Sequence, residues 1–360
     1  MKKILIFSNG TFIEYKFRKE VLSELVKEYE VVLCAPFTEY VDELKALGCR
    51  MINIQFSRRG TNILDEVKLI SKFNKIIKSE KPDLILTFTI KPNIYAGIVS
   101  SFHKVPFLPN ITGLGKALQG DGALTKVTVM LYRIAFRKVQ YVLFQNEANL
   151  NILKEKDIIK ESHITKLIPG SGVNTSEYEF YPLEEKEDLT FLFLGRVMQE
   201  KGIEEYIEAS KIVAEKYPKT KLYAIGNMKE DYNDAIENSV VEYLPKQKDV
   251  KPFIRNSDAL VNPSYHEGMS NVLLEAGAMG RPLLASDIPG CKEIVQDGYN
   301  GYLFEKASAD DLAKAMIKMI ETSYEERRTM GINSRKHVED NFDKSIVVKT
   351  YIVTIKEILR

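Results

Sequence analysis

Short apolar runs alternate with amphipathic segments along the whole chain. KKILIF at 2–7 and TFLFLG at 190–195 are apolar at nearly every position, which is typical of strands buried on both faces of a parallel sheet. Segments with apolar residues three or four positions apart separate these runs and predict amphipathic helices. In the first half, the pattern predicts strands at 2–7, 29–34, 51–56, 83–88, 105–110, 141–144 and 163–168, and helices at 15–29, 38–47, 64–79, 92–103, 123–138 and 147–156.

The alternation is interrupted once, at 171–189, by a segment rich in Gly, Pro, Ser and acidic residues that reads as a linker. It then resumes with strands predicted at 190–195, 221–226, 240–244, 258–263, 282–286 and 301–304, and helices at 202–216, 308–322, 324–340 and 344–359. We therefore predict an α/β protein of two Rossmann-like, doubly wound domains, at 1–170 and 190–340, that face each other across a cleft. We expect the last segment, 341–360, to be a helix that packs back toward the N-terminal domain.

The charge is distributed unevenly although the net charge of the 360 residues is only +1. Residues 1–170 carry 26 basic and 17 acidic side chains, whereas residues 171–360 carry 25 and 33. Either the first half meets an anionic partner, such as a membrane surface or a phosphorylated acceptor, or the two halves attract each other. Three scattered cysteines suit reduced thiols in a cytoplasmic protein, and four histidines without a zinc-binding spacing disfavour a zinc site.

Two cations follow the first predicted strand of the second half. In the segment GRVMQEKG, Arg196 and Lys201 lie on the loop between a strand that ends in Gly195 and a helix. A guanidinium that binds oxygens in a fork, with an ammonium beside it, suits a diphosphate. The alternative is a pair of solvated surface cations flanked by glycine caps.

A second segment, PSYHEGMSNVLLE, leads from a predicted strand into a helix that begins near 269–271. The first amides of a helix lack intrahelical partners and lie at its positive end, so they bind phosphate readily. Glu267 precedes this helix start and Glu275 follows it, and both carboxylates can accept hydrogen bonds from hydroxyls. The pattern suits a nucleotide-sugar, although Glu275 alone could be a solvated helix residue and Glu267 a helix-start acid.

Together these motifs resemble the family 4 glycosyltransferases of the two-domain GT-B fold, with agreement over about 190–305 that includes Gly280-Arg281-Pro282. The resemblance implies transfer of a sugar from a nucleotide-sugar with retention of the anomeric configuration. Arg196, Lys201 and Glu267 would be the catalytic residues, and Glu275 would hold the ribose. The remaining donor-binding groups would be the amides of Gly268, Met269, Ser270 and Asn271. Since no D-x-D triplet occurs, we expect neither a metal nor another cofactor.

The first half departs from the commonest pattern of the family. Its first loop has a single glycine, Gly10, and Thr112 stands about where many members carry a histidine. Segments such as Lys91-Pro92-Asn93 are instead similar to a narrower group that builds capsule, O-antigen or lipid-linked glycans, including N-acetylgalactosaminyl transferases that act on undecaprenyl-diphosphate-linked sugars. The acceptor-side candidates on this resemblance are Gly10, Arg18, Arg58, Lys91 and Thr112, although each cation alone could be a surface residue.

The long predicted helix at 123–138 combines basic and apolar positions. Lys126, Arg133 and Arg137 fall within about 40° of one another on a helical wheel. Apolar residues flank this stripe on both sides: Leu124, Val127, Leu131 and Ile134 on one, and Val129, Tyr132 and Phe136 on the other. Such a helix suits the surface of an anionic membrane, or it is a core helix whose exposed strip is basic.

The sequence therefore predicts a cytoplasmic glycosyltransferase, peripheral on the inner face of the cytoplasmic membrane. Its partners would be a UDP-sugar donor, a lipid-linked or polysaccharide acceptor and an anionic membrane surface, with no nucleic acid. Two other interpretations are a UDP-sugar 2-epimerase on the same fold and a non-catalytic sugar-binding protein. An epimerase needs acid and base side chains around the sugar, which is not the pattern formed by Arg196 and Glu275.

Overall fold

The computed structural model describes residues 1–56, 62–115, 118, 120 and 122–360, with only the backbone of Ile63. These residues form two compact units. Unit 1 comprises 1–171 together with 345–360, and unit 2 comprises 172–344. Each unit is a Rossmann-like α/β domain built on a parallel sheet.

In unit 1, the described residues form a seven-stranded parallel sheet in the order β3-β2-β1-β4-β5-β6-β7. Its strands are β1 (Lys3–Phe7), β2 (Glu30–Ala35), β3 (Arg50–Asn53), β4 (Leu84–Thr87), β5 (Phe107–Ile111), β6 (Tyr141–Phe144) and β7 (Ile164–Leu167). The helices that follow them in turn are α1 (Thr11–Glu28), α2 (Val41–Ala46), α3 (Ile63–Glu80), α4 (Ile90–His103), α5 (Ala123–Phe136) and α6 (Glu147–Glu155). The strand and helix segments predicted for this half are all present, with ends shifted by a few residues.

Helices cover both faces of this sheet, which explains why its strands are apolar at successive positions. Leu5 and Phe7 of β1 belong to one buried cluster, with residues of α3, α4 and α5. Ile4 and Ile6 point the other way and join a second cluster with residues of α1 and of the last helix. A strand buried on both faces loses the polar alternation of a half-exposed one.

In unit 2, the described residues form a six-stranded parallel sheet in the order β10-β9-β8-β11-β12-β13. Its strands are β8 (Thr190–Leu194), β9 (Lys221–Ile225), β10 (Glu242–Leu244), β11 (Ala259–Asn262), β12 (Leu283–Ser286) and β13 (Gly301–Phe304). The helices are α7 (Ile203–Lys216), α8 (Asn233–Glu237), α9 (Lys251–Asn256), α10 (Asn271–Ala278), α11 (Ala309–Glu321) and α12 (Tyr324–Phe342). The sequence pattern missed α8 and α9, because five or six residues are too short to establish a helical period.

The segment predicted as a linker lies with unit 2 from Gly172 onward. It has little regular structure, but Val173, Leu183 and Leu189 are buried. The final helix, α13 (Lys344–Ile358), belongs to unit 1 from Ser345 onward. Its Tyr351 and Ile355 are buried in the cluster beneath β1 and α1. Unit 1 is therefore assembled from two separate stretches of sequence.

Candidate active site

The two motifs of unit 2 follow adjacent strands. β8 pairs with β11, so the loops after Leu194 and Asn262 leave the same edge of the sheet. The backbone N–H of Tyr265 donates to the Glu200 carbonyl at 3.0 Å and ties the two loops together. Gly202 has a φ of +72°, and a Cβ there would lie 2.1 Å from the carbonyl oxygen of Pro263. Glycine is thus required where the loops approach most closely.

Lys201 and Glu267, one from each loop, form an ion pair. Lys201 Nζ lies 2.5 Å from Glu267 Oε1, and the two side chains are only 18% and 15% exposed. From the sequence, Lys201 was predicted to bind the diphosphate and Glu267 the sugar. The structure places these two charged groups in direct contact. Arg196, by contrast, is exposed and has no hydrogen bond or ion pair with any described residue, so its guanidinium is available to an external anion.

A buried polar network lies behind this ion pair, in a position that the sequence did not reveal. Ser264 Oγ lies 2.9 Å from the same Glu267 oxygen and donates to Asn262 Oδ1 at 2.6 Å. The Asn262 amide donates in turn to Ser270 Oγ at 2.5 Å. Asn262, Ser264 and Ser270 are 5%, 1% and 2% exposed. A buried strand-end Asn followed by a Ser two positions on was the only signal in the sequence for this network.

The start of α10 is left without a side-chain cap. Ser270 occupies the N-cap position, but within the described residues its hydroxyl faces Asn262 and caps no helix amide. Ser270 is a residue type that usually caps. The first amides of α10 are therefore open to an acceptor from outside the chain, at the positive end of an eight-residue helix.

Glu275, one turn into α10, already has a partner in unit 2. Its carboxylate lies near the Tyr178 hydroxyl, and its charge acts on that group. Burial and the nearby charge of Glu275 raise the pKa of Tyr178, so that hydroxyl remains a donor at every physiological pH. Tyr178 lies in the predicted linker, where no motif marked it.

In unit 1, Arg18 lies on the buried face of α1 and pairs with Glu14. Its guanidinium donates to Glu14 Oε1 at 2.8 Å and lies 3.7 Å from the centre of the Phe88 ring. The Arg18 side chain is 7% exposed and that of Glu14 is fully buried. Ser8 Oγ also donates to Glu14 at 2.5 Å. As placed, Arg18 offers little surface to an acceptor, and its acceptor-side role stays a prediction.

The other acceptor-side candidates of unit 1 also have internal roles where they are described. Gly10 is the N-cap residue of α1. Lys91 Nζ lies 2.5 Å from Glu66 Oε1, and the Thr112 hydroxyl donates to the Phe88 carbonyl at 2.8 Å. Arg58 lies outside the described residues. Among the described candidates, Arg18, Lys91 and Thr112 each contact a different internal partner rather than one another.

Helix α5 presents one of its two predicted apolar flanks to solvent. On one flank Tyr132 and Phe136 are buried in the core and Val129 packs against it partly buried, so this flank is not available to a membrane. On the other flank, Leu124, Val127 and Ile134 are between 47% and 56% exposed, whereas Leu131 is partly buried against the core. Met130, which the prediction did not include, extends this exposed row at 54%. Lys126, Arg133 and Arg137 are exposed as well. Arg133 also donates twice to the Lys156 carbonyl, at 3.0 and 2.7 Å, and so closes the end of α6.

The chain is similar to known glycosyltransferases in both halves. Residues 174–337 match the family described as glycosyl transferases group 1, and residues 3–146 match glycosyl transferase 4-like proteins. A glycosyltransferase of Methanocaldococcus jannaschii is 33% identical over 289 residues, which cover 77% of this chain and 76% of the relative. This chain belongs to the glycosyltransferases. The resemblance proposed from the sequence is therefore confirmed.

Two further comparisons extend over nearly the whole glycosyltransferase chain. The N,N'-diacetylbacillosaminyl-diphospho-undecaprenol alpha-1,3-N-acetylgalactosaminyltransferase of Campylobacter jejuni is 25% identical, with 96% of each chain covered. The crystal structure of Anabaena HepE in complex with UDP and glucose superimposes with a TM-score of 0.80 at 17% identity, covering 99% of this chain and 100% of HepE. The predicted fold class and enzyme class are confirmed, and neither the epimerase nor the binding-protein interpretation is favoured.

The described residues contain neither a helix suited to span a membrane nor a cluster of side chains suited to bind a metal ion. None of the described helices has the length and hydropathy to span a bilayer. No group of three or more His, Cys, Asp or Glu side chains in the same part of the chain is arranged to hold a metal ion. A metal carried by the substrate diphosphate would need no such group, so metal independence stays a prediction.

Proposed function

We propose that this glycosyltransferase moves a sugar from a UDP-sugar to a lipid-linked or polysaccharide acceptor, with retention of the anomeric configuration. The observation that carries the proposal is the arrangement in unit 2, where Lys201, Glu267 and the uncapped start of α10 are joined by one hydrogen-bonded network. The UDP bound to HepE supports the donor class, and the undecaprenol-linked sugar in the name of the Campylobacter relative supports the acceptor class.

In this proposal the donor diphosphate binds Arg196, Lys201 and backbone amides within 268–271, except that of Ser270, which already donates to the Gly290 carbonyl at 2.9 Å. These groups are positive, so they stabilise the charge that develops on the departing nucleoside diphosphate. Glu267 binds the transferred sugar and Glu275 the ribose. The positive groups replace the divalent cation that many sugar transferases place on the diphosphate, so we propose that no metal or other cofactor is required.

The donor site is tested by binding before turnover. Thermal stabilisation by a panel of UDP- and GDP-sugars identifies the donor, because a ligand that binds only the folded state raises the melting temperature. Lys201→Ala and Glu275→Ala should abolish most of this stabilisation and cripple transfer. The matched control is Lys216→Ala, which removes an exposed lysine of the same unit that pairs with Glu321 at 2.7 Å. Full turnover in a variant that lacks both Lys201 and Glu275 would refute the site.

For the acceptor, we propose that unit 1 docks on an anionic membrane at the cytoplasmic face through α5. The support is the exposed row of Leu124, Val127, Met130 and Ile134 beside three basic residues. Apolar side chains insert at the interface while cations attract acidic lipids, at about 1 kcal/mol per basic residue.

Co-sedimentation with vesicles tests the docking surface. The chain should bind vesicles that contain phosphatidylglycerol more tightly than phosphatidylcholine vesicles. Exchange of Lys126 and Arg137 for Glu should abolish that preference. Exchange of Lys45 and Lys68 for Glu, two exposed lysines on α2 and α3, is the matched control for charge. If both double variants lost the preference for phosphatidylglycerol vesicles equally, the effect would be one of overall charge. That result would contradict docking through α5.

A further inference from the structure

Ser264 has two acceptors for a single hydroxyl proton. Its Oγ lies 2.6 Å from Asn262 Oδ1 and 2.9 Å from Glu267 Oε1, and neither of those oxygens can donate when Glu267 is ionised. The hydroxyl therefore bonds one of them at a time. The shorter contact of the hydroxyl is to Asn262 Oδ1. Glu267 Oε1 accepts a hydrogen bond from Lys201 Nζ at 2.5 Å.

A donor diphosphate competes with Glu267 for the Lys201 ammonium. That ammonium is the nearest positive group to Glu267 in the described part of unit 2. A diphosphate carries more negative charge than one carboxylate and draws the ammonium toward itself. Once Lys201 has moved, the partly buried Glu267 carboxylate needs another donor to hold its orientation.

We infer that Ser264, held in place by Asn262, is the positioning residue for Glu267, an inference that rests on the proposed function. When the donor diphosphate draws Lys201 away, the Ser264 hydroxyl turns from Asn262 Oδ1 to Glu267 Oε1. Asn262 Oδ1 retains the Ser264 backbone N–H at 3.4 Å, and the Asn262 amide still holds Ser270 at the start of α10. The carboxylate thus stays aimed at the sugar while the lysine serves the phosphates.

The test compares Ser264→Ala with Ser257→Ala. Ser257 precedes the same strand, β11, at its other end, is fully buried, and donates one hydrogen bond to the Ile254 carbonyl at 2.8 Å. Each variant therefore loses one buried hydroxyl, at a cost of about 1 kcal/mol of stability. Melting temperature, UDP affinity, donor KM and kcat for transfer are measured for both variants and the wild type.

We expect Ser264→Ala to lower kcat about 10- to 100-fold, because a misaligned group of this kind costs that much. Its donor KM and its affinity for UDP, which has no sugar, should change less than about 3-fold. Ser257→Ala should leave all of these within about 2-fold. This split separates positioning from general damage, since a structural loss would lower stability and UDP binding as well.

Two results overturn the inference. One is a Ser264→Ala enzyme whose kcat matches that of Ser257→Ala. The other is a Ser264→Ala chain that loses its fold or its UDP affinity while Ser257→Ala does not, because Ser264 would then be a structural residue. If the wild type transfers no sugar from any nucleotide-sugar, the proposed function fails first and this inference fails with it.

Discussion

Replacement of Arg18 by Met should destabilise unit 1 severely. Arg18 is 2.8 Å from a Glu14 carboxylate that has no exposed surface, so the variant leaves that charge buried without its cation. Removal of one partner of a buried pair costs about 3–5 kcal/mol. The whole free energy of unfolding of a domain is typically about 5–15 kcal/mol, so the loss is a large fraction of it. At about 2–4 °C per kcal/mol, the melting temperature of unit 1 should fall by roughly 6–20 °C.

The double variant Glu14→Leu with Arg18→Met provides the control. It replaces the whole pair by apolar side chains, which is often neutral or stabilising, so most of the stability should return. Thermal and urea unfolding followed by circular dichroism measure both chains. A single variant that loses less than about 1 kcal/mol, or a double variant as unstable as the single, would refute the reasoning. Transfer by the double variant also tests Arg18 itself: a raised acceptor KM in a stable chain would support its predicted acceptor-side role.

Three other outcomes follow from the structure. Chelation of divalent ions should leave transfer by a verified preparation unchanged, and loss of turnover that added Mg²⁺ restores would contradict metal independence. Burial raises the pKa of Glu14 above 4.5, so the stability due to this group is lost as the pH rises through its folded pKa. Glu14→Gln should therefore show a flatter decline of stability with rising pH in denaturant titrations, and an identical slope would count against it. Arg281→Met should cost unit 2 about 3 kcal/mol or more of unfolding free energy without changing donor KM, because the buried guanidinium donates to the carbonyls of Arg255 and Ser257.

The strands and long helices could be predicted from the sequence because burial on two faces leaves a strong pattern. β6 and β13 begin and end where the apolar runs do. The hydrophobic pattern predicted helix ends less well where tertiary contacts determine them. α1 begins at Thr11, four residues before its predicted start, since its first turn includes the polar pair partner Glu14.

The site could be predicted in part. The strand–loop–helix motifs placed Arg196, Lys201 and Glu267 at one sheet edge, but the contact between Lys201 and Glu267 depends on how two loops pack, which spacing along the chain does not encode. The burial of Arg18 did have a signal: Glu14 and Arg18 lie one turn apart on the same face of α1 as Val21, Leu22 and Leu25. A charged pair on an apolar face indicates an internal ion pair rather than two ligands.

The return of the last helix to unit 1 has a consequence for biosynthesis. Residues 172–344 are one continuous stretch, so unit 2 can fold on the ribosome as soon as it has emerged. Unit 1 cannot complete its fold at that stage, because Tyr351 is synthesised after all of unit 2. Tyr351 accepts a hydrogen bond from Asn110 and is buried in the cluster that contains residues of β1 and α1. During translation the earlier-made half is thus the later one to mature, and a nascent chain stalled before residue 345 would expose an apolar groove to chaperones.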